Sequence, residues 1–172
     1  MAETAAPSIT IESKNVAYDD YLHILYAVSN EGFDRSQNQI QMLFWNEPQT
    51  EYSLGTEDYA VSNSGTATVK GKDCLVFYSN GIAAKEMTDS IYVRAYATVN
   101  GEVCYSETIE YSVEQYVEDV LANSEANDEQ KTLVTAMLEY GEAAQVVLNN
   151  GGAAAANIAS EAAATAPTLT VE

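Results

Sequence analysis

Apolar residues recur at alternate positions over roughly the first hundred residues of this chain, and at every third or fourth position afterwards. In "SITIE" (8–12) Ile9 and Ile11 share one side of an extended strand. "YLHILYAVS" (21–29), "QIQMLFW" (39–45) and "DCLVFYS" (73–79) are apolar runs of strand length, rich in β-branched and aromatic residues. Weaker strand patterns lie around 50–54 and 66–70. The sharpest signal is "DSIYVRAYATVNGEVCYSETIEY" (89–111), where two alternating runs flank Asn100-Gly101, the pair best suited to a type I′ hairpin turn. A tight turn there sets Val99 opposite Glu102, Ala97 opposite Cys104, Tyr96 opposite Tyr105 and Arg94 opposite Glu107. Ile91, Val93, Ala95, Ala97 and Cys104 then make a face of small or branched side chains, suited to packing on a second sheet about 10 Å away. The opposite face carries Tyr92, Arg94, Tyr96, Tyr105 and Ile109, and must be covered or used. About seven strands in about a hundred residues predict an immunoglobulin-like antiparallel β-sandwich over 8–111.

At Ser112 the period changes from two to 3.6. Val113, Tyr116, Val117, Val120 and Leu121 line one side of a first helix, and Ser112 with Gln115 forms a capping box. A second helix starts at Asn127, with Asp128 and Glu129 at its positive end. Its expected stripe is Leu133, Met137, Tyr140, Ala144, Val147 and Leu148. Gly141 costs this helix about 1 kcal/mol relative to alanine, which a close approach to the first helix or to the sheet would offset. The two helices predict a mixed β and α chain: a sandwich followed by a helical hairpin over 112–150, packed on the tyrosine face. Residues 1–7 read as a leading linker, and 151–166 as an Ala-rich spacer or short helix. "PTLTVE" (167–172) echoes "PSITIE" (7–12), sharing the proline, threonine and glutamate. The expectation is the first strand of a following repeat, since tandem modules on spacers raise effective concentration.

Composition narrows the functional classes. The chain has 172 residues, 47% of them hydrophobic, but 26 acidic against 7 basic side chains and a formal charge of −19. Such a surface repels nucleic acid, anionic membranes and sialylated or sulfated glycans, so no nucleic acid partner is expected. No apolar run approaches the ~20 residues of a membrane span, so no membrane insertion is expected. Met1-Ala2-Glu3 has neither the basic nor the apolar region of a secretory signal.

Catalytic, cofactor and metal residues are expected to be none. The single histidine, His23, would need Asp19 or Asp20 to build a triad and sits in an alternating strand. No D-x-D-x-D-G loop is present, so Asp19-Asp20, Glu57-Asp58 and Asp128-Glu129 read as solvated acids. Nothing marks one acid pair for glycoside hydrolysis, and phosphate-binding glycine motifs are absent. Cys74 and Cys104 both fall on apolar strand faces without C-x-x-C spacing; a disulfide and two buried thiols both remain open. Trp45 reads as core. Twelve tyrosines against three phenylalanines are suited to recognition, because tyrosine gives large contact area with little side-chain entropy to lose. Tyr92, Arg94, Tyr96 and Tyr105 are the candidate binding surface.

Two stretches carry a family likeness: "YSNGIAAKEMTDSIYVRAYATVNGEVCYSETIEYSVEQYVEDVL" (78–121) and "LVTAMLEYGEAAQ" (133–145). Their elements are Gly81-Ile82-Ala83-Ala84-Lys85, Met87-Thr88-Asp89, Tyr111-Ser112-Val113, Leu138-Glu139-Tyr140-Gly141 and Ala143-Ala144-Gln145. They resemble a module of multi-domain surface proteins from gut Clostridia. The resemblance implies an extracellular location, attached to the bacterial cell surface within a larger, repeat-bearing protein. It carries no catalytic residues. Some repeat proteins of that class bind host antibodies, which makes a host protein, an immunoglobulin among them, the implied partner. The expectation is a non-catalytic binding module. Its rivals are a carbohydrate-binding module for neutral glycans and a structural spacer in a surface stalk.

Overall fold

The computed structural model describes residues 5–18 and 21–149. The expected spacer and following strand, and the Asp19-Asp20 pair, lie outside the described residues. Among the described residues, nine strands and two helices make a mixed, mostly antiparallel β structure: β1 Ser8–Tyr18, β2 Leu22–Glu31, β3 Gln41–Trp45, β4 Tyr59–Ser62, β5 Gly65–Val69, β6 Lys72–Tyr78, β7 Ile91–Val99, β8 Glu102–Tyr105, β9 Ile109–Tyr111, α1 Val113–Ala122 and α2 Asp128–Asn149. One sheet runs β1-β2-β6-β5; the other runs β4-β3-β7-β8, with β9 continuing the β8 edge of β7. Their inner faces share one core. Ile24, Tyr26, Val28 and Phe77 come from the first sheet, and Met42, Phe44, Val93, Ala95 and Ala97 from the second. Each large side chain fully buried is worth about 1.5–3 kcal/mol, so stability is concentrated between the sheets. The arrangement is consistent with a β-sandwich bearing helices.

The Asn100-Gly101 turn has both residues at positive φ, 52° and 85°, and gives the expected Val99–Glu102, Ala97–Cys104 and Tyr96–Tyr105 pairs. A second turn of the same kind, Lys70-Gly71 at 52° and 78°, joins β5 to β6. Beyond Tyr105 the register slips by one residue, so that Val93 faces Ile109. Ser106 occupies the break: its N–H donates to Ala95 O at 2.8 Å, and its Oγ accepts from Ala95 N at 2.9 Å. The extra residue turns Ile109 away from the tyrosine face, where strict alternation places it, and onto the core. A second bulge at Glu12 splits β1, so that Ile9 before it and Val16 after it both reach the core despite their spacing.

Both helix starts are capped. Ser112 Oγ accepts from Gln115 N at 3.0 Å. At Asn127 the box is reciprocal: Asn127 Oδ1 accepts from Gln130 N at 2.8 Å, and Gln130 Oε1 accepts from Asn127 N at 3.0 Å. The hairpin does not cover the tyrosine face. It packs on a 3-10 turn, Ala84–Glu86, and on the Tyr18 end of β1, burying Val113, Val117, Val134 and Met137 with Val16, Met87 and Tyr111. Glu114 N donates to Met87 O at 3.0 Å, and Gln145 Nε2 donates to Lys85 O at 2.9 Å. Gly141 makes the close approach its cost requires, but toward this turn: a Cβ there would lie 3.0 Å from Ala84 O. The buried stripe of α2 is therefore Val134, Met137 and Gly141, with Leu138 beside them, and the expected members Leu133 and Tyr140 face outward.

Candidate binding surface

The expected surface residues are brought together, but they are already engaged. Tyr92, Arg94 and Tyr96 alternate along β7 opposite Trp45, Leu43 and Gln41 of β3, and Tyr105 faces Tyr96 from β8. Directly paired residues share a face, so all lie on the outer side of their sheet. The loop from Asn46 to Asp58, where a weak strand was expected at 50–54, folds back over them. Tyr52 stacks on Tyr92 at 5.5 Å and meets the Trp45 ring edge-on at 5.1 Å. Arg94 Nη1 donates to Tyr52 O at 2.6 Å, its Nε donates to Ser106 O at 2.9 Å, and its guanidinium lies 4.1 Å above the Tyr105 ring centre. Leu54 N donates to Tyr105 Oη at 2.9 Å. Trp45 is fully buried, yet beneath this loop and outside the inter-sheet core, with its Nε1 donating to Thr56 O at 2.7 Å. Burial, with Glu57 and Tyr105 nearby, raises the Tyr96 phenol above its ordinary value.

Cys74 and Cys104 are free thiols. Leu75 and Phe77 of β6 point into the core, so Cys74, next to Leu75, points out of the first sheet. Cys104, opposite the core residue Ala97, points inward from the second sheet. The first sheet therefore stands between the two sulfurs, and the candidate disulfide is not made. Burial raises both thiols above the ordinary range.

Two further surfaces were not singled out by residue pattern. A polar cleft of about 440 Å³ opens where the end of β3 meets the 3-10 turn, lined by Asn46, Glu47, Tyr59, Asn80, Glu86 and Asp89 among others. The outward side of α2 exposes Leu133 at 53% and Tyr140 at 64% of their full areas, with Ala136 and Ala143 exposed at intervening helical spacing. With the stripe turned by one residue, Leu133 and Tyr140, seven residues apart, mark this face.

His23 Nδ1 donates to Ser79 O at 2.8 Å. Among the described residues no three His, Cys, Asp or Glu side chains are grouped to hold a metal ion, and no helix is long and apolar enough to cross a membrane. Comparison with protein-family models, curated proteins and solved structures finds no significant match to this chain.

Proposed function

We propose that this chain is an immunoglobulin-like recognition module of a bacterial cell-surface protein, without catalytic activity, whose partner is a host protein. The strand order supports the fold. One sheet in the order first, second, sixth, fifth and the other in the order fourth, third, seventh, eighth match the A-B-E-D and C′-C-F-G arrangement of such domains. The observation that carries the function is the outward face of α2. Tyr140 there is an aromatic anchor beside Leu133, the kind of side chain that dominates interface energy. Glu129, Glu139 and Glu142 are exposed on the same helix, so the complementary partner has an apolar centre and a basic rim. The likeness of 78–121 and 133–145 to clostridial surface modules favours an antibody chain as that partner.

The test is capture from serum and mucosal secretion on the immobilised full chain, read by mass spectrometry beside a deglycosylated sample. Antibody chains should be retained from both samples, and at least tenfold less by the double variant Leu133→Asp/Tyr140→Ala. Equal retention by that variant would sink the α2 reading. An empty column would leave the stalk spacer.

The polar cleft favours a second reading, a neutral glycan. Its acids and amides can share hydrogen bonds with sugar hydroxyls. Retention would then disappear after deglycosylation and with Asp89→Ala, while Leu133→Asp/Tyr140→Ala would leave it unchanged.

A further inference from the structure

We infer that residues 167–172 can replace the first half of β1 in a second copy of this chain, so that copies join by strand exchange. The inference stands apart from what the module recognises. It starts from the bulge at Glu12, which divides β1 into two independently registered halves: Ser8–Ile11 pairs with Glu31–Val28, and Ser13–Tyr18 with Ala27–Leu22. The first half is a short edge segment held by one neighbouring strand, β2. An edge of this kind is where proteins accept a foreign strand.

The echo of this half is specific to what its slot reads. Ile9 is buried in the core and Ile11 packs against it; Leu169 and Val171 stand at the matching positions. Thr10, which is exposed, matches Thr170, and Ala6-Pro7 matches Ala166-Pro167. The telling residue is Glu12. Its Oε1 accepts from Lys72 Nζ at 2.6 Å and from Ser29 Oγ at 2.6 Å, tying this half of β1 across β2 to β6. Glu172 supplies the same carboxylate at the same place in the sequence pattern. An arbitrary strand after a proline needs alternation, but it does not need an acid where Lys72 and Ser29 wait for one.

The slot is also open along one side. A cleft of about 290 Å³ runs beside Ile9, Thr10 and Ile11, walled on the other side by Glu107, between β8 and β9, and by Ile109. Exchange trades nearly equivalent contacts, which makes it a low-cost route to association. The resident strand keeps a preference, because Val171 has one methylene less than Ile11 and the resident is already in its own chain. Exchanged species should therefore rise with protein concentration. Filling of the slot by the same chain is the alternative that the labelled mixture distinguishes.

The experiment mixes full chain in light and ¹⁵N-labelled forms at high concentration. A carbodiimide then joins contacting amines and carboxylates without a spacer, and mass spectrometry identifies the products. Lys72 should couple to Glu172 in light–heavy pairs, beside its intramolecular coupling to Glu12. Sedimentation should show mass rising with concentration, and Leu169→Asp/Val171→Asp, which leaves residues 5–149 untouched, should remove at least nine-tenths of that rise. Lys72 coupled to Glu12 alone would overturn the inference. So would Lys72–Glu172 products found only within one chain, or association that ignores Leu169→Asp/Val171→Asp.

Discussion

Arg94 holds Tyr52: its Nη1 donates to the Tyr52 carbonyl at 2.6 Å while its guanidinium rests on the Tyr105 ring. A side chain from the middle of a strand thereby fastens a thirteen-residue loop, 46–58, over the outside of its own sheet. Replacing Arg94 with alanine removes two hydrogen bonds from a charged donor and one cation–π contact. The expected loss is about 2–3 kcal/mol in urea unfolding. Trp45 should become accessible to acrylamide, with its emission shifted to the red. An unmoved Trp45 spectrum would mean that the loop is held by Tyr52 stacking alone.

The Glu12 carboxyl is held below its ordinary value, first by the Lys72 hydrogen bond and then by that from Ser29. A depressed folded-state value means that the stabilisation is fully present above the unfolded value, about 4.3, and is lost as pH falls through the folded one. Glu12→Gln should therefore lower the urea midpoint at pH 7, and the gap from wild type should close in acid. A gap constant from pH 7 to pH 2 would show that the carboxylate charge is not what Lys72 reads.

Gly141→Ala tests the seat of the helical hairpin. Helix propensity alone predicts a gain of about 1 kcal/mol. The added Cβ, however, meets the Ala84 carbonyl at 3.0 Å and the Met87 sulfur at 3.2 Å. Met87 can yield, but the backbone of the 3-10 turn is pinned by Gln145. Overpacking of this kind costs about 1–3 kcal/mol, so the net expectation is a loss of about 1 kcal/mol. A more stable variant would show that the turn moves freely.

Much of this architecture is legible from residue spacing, and what is not depends on bulges and on tertiary partners. The Asn100-Gly101 register, the Ser112 and Asn127 helix starts and the inward face of β7 all follow from local rules that tertiary packing leaves alone. The second half of β1 and the destination of Ile109 do not, because one inserted residue at each bulge reverses the parity that alternation relies on. The α2 stripe is misplaced by one residue because Leu133 and Val134 are equally apolar, and only the partner decides which turns inward. Alternation also puts Tyr92, Arg94, Tyr96 and Tyr105 on one face, as the strand pairing does. The cover from its own loop is less legible, since Arg94 and Trp45 bind that loop at the Tyr52 and Thr56 carbonyls, which carry no side-chain signature.

The thiols give a simple chemical check. Both cysteines should titrate as free thiols in denaturant without any reductant. In the native chain the half-buried Cys104 should react first and Cys74 only on unfolding, since burial keeps both from ionising. Finding no titratable thiol after denaturation would contradict the placement of the first sheet between the two side chains.

The few cations of this chain are largely spent inside it. Lys14 lies over Tyr111, Arg35 binds Asp73, Lys72 binds Glu12, and Arg94 serves two backbone carbonyls. Out to the Debye length of about 8 Å at physiological salt, the molecule thus presents itself as close to a uniform anion. Encounter with a basic partner becomes a matter of long-range attraction before any contact forms, and its rate should fall steeply as salt is added, while the dissociation rate barely changes.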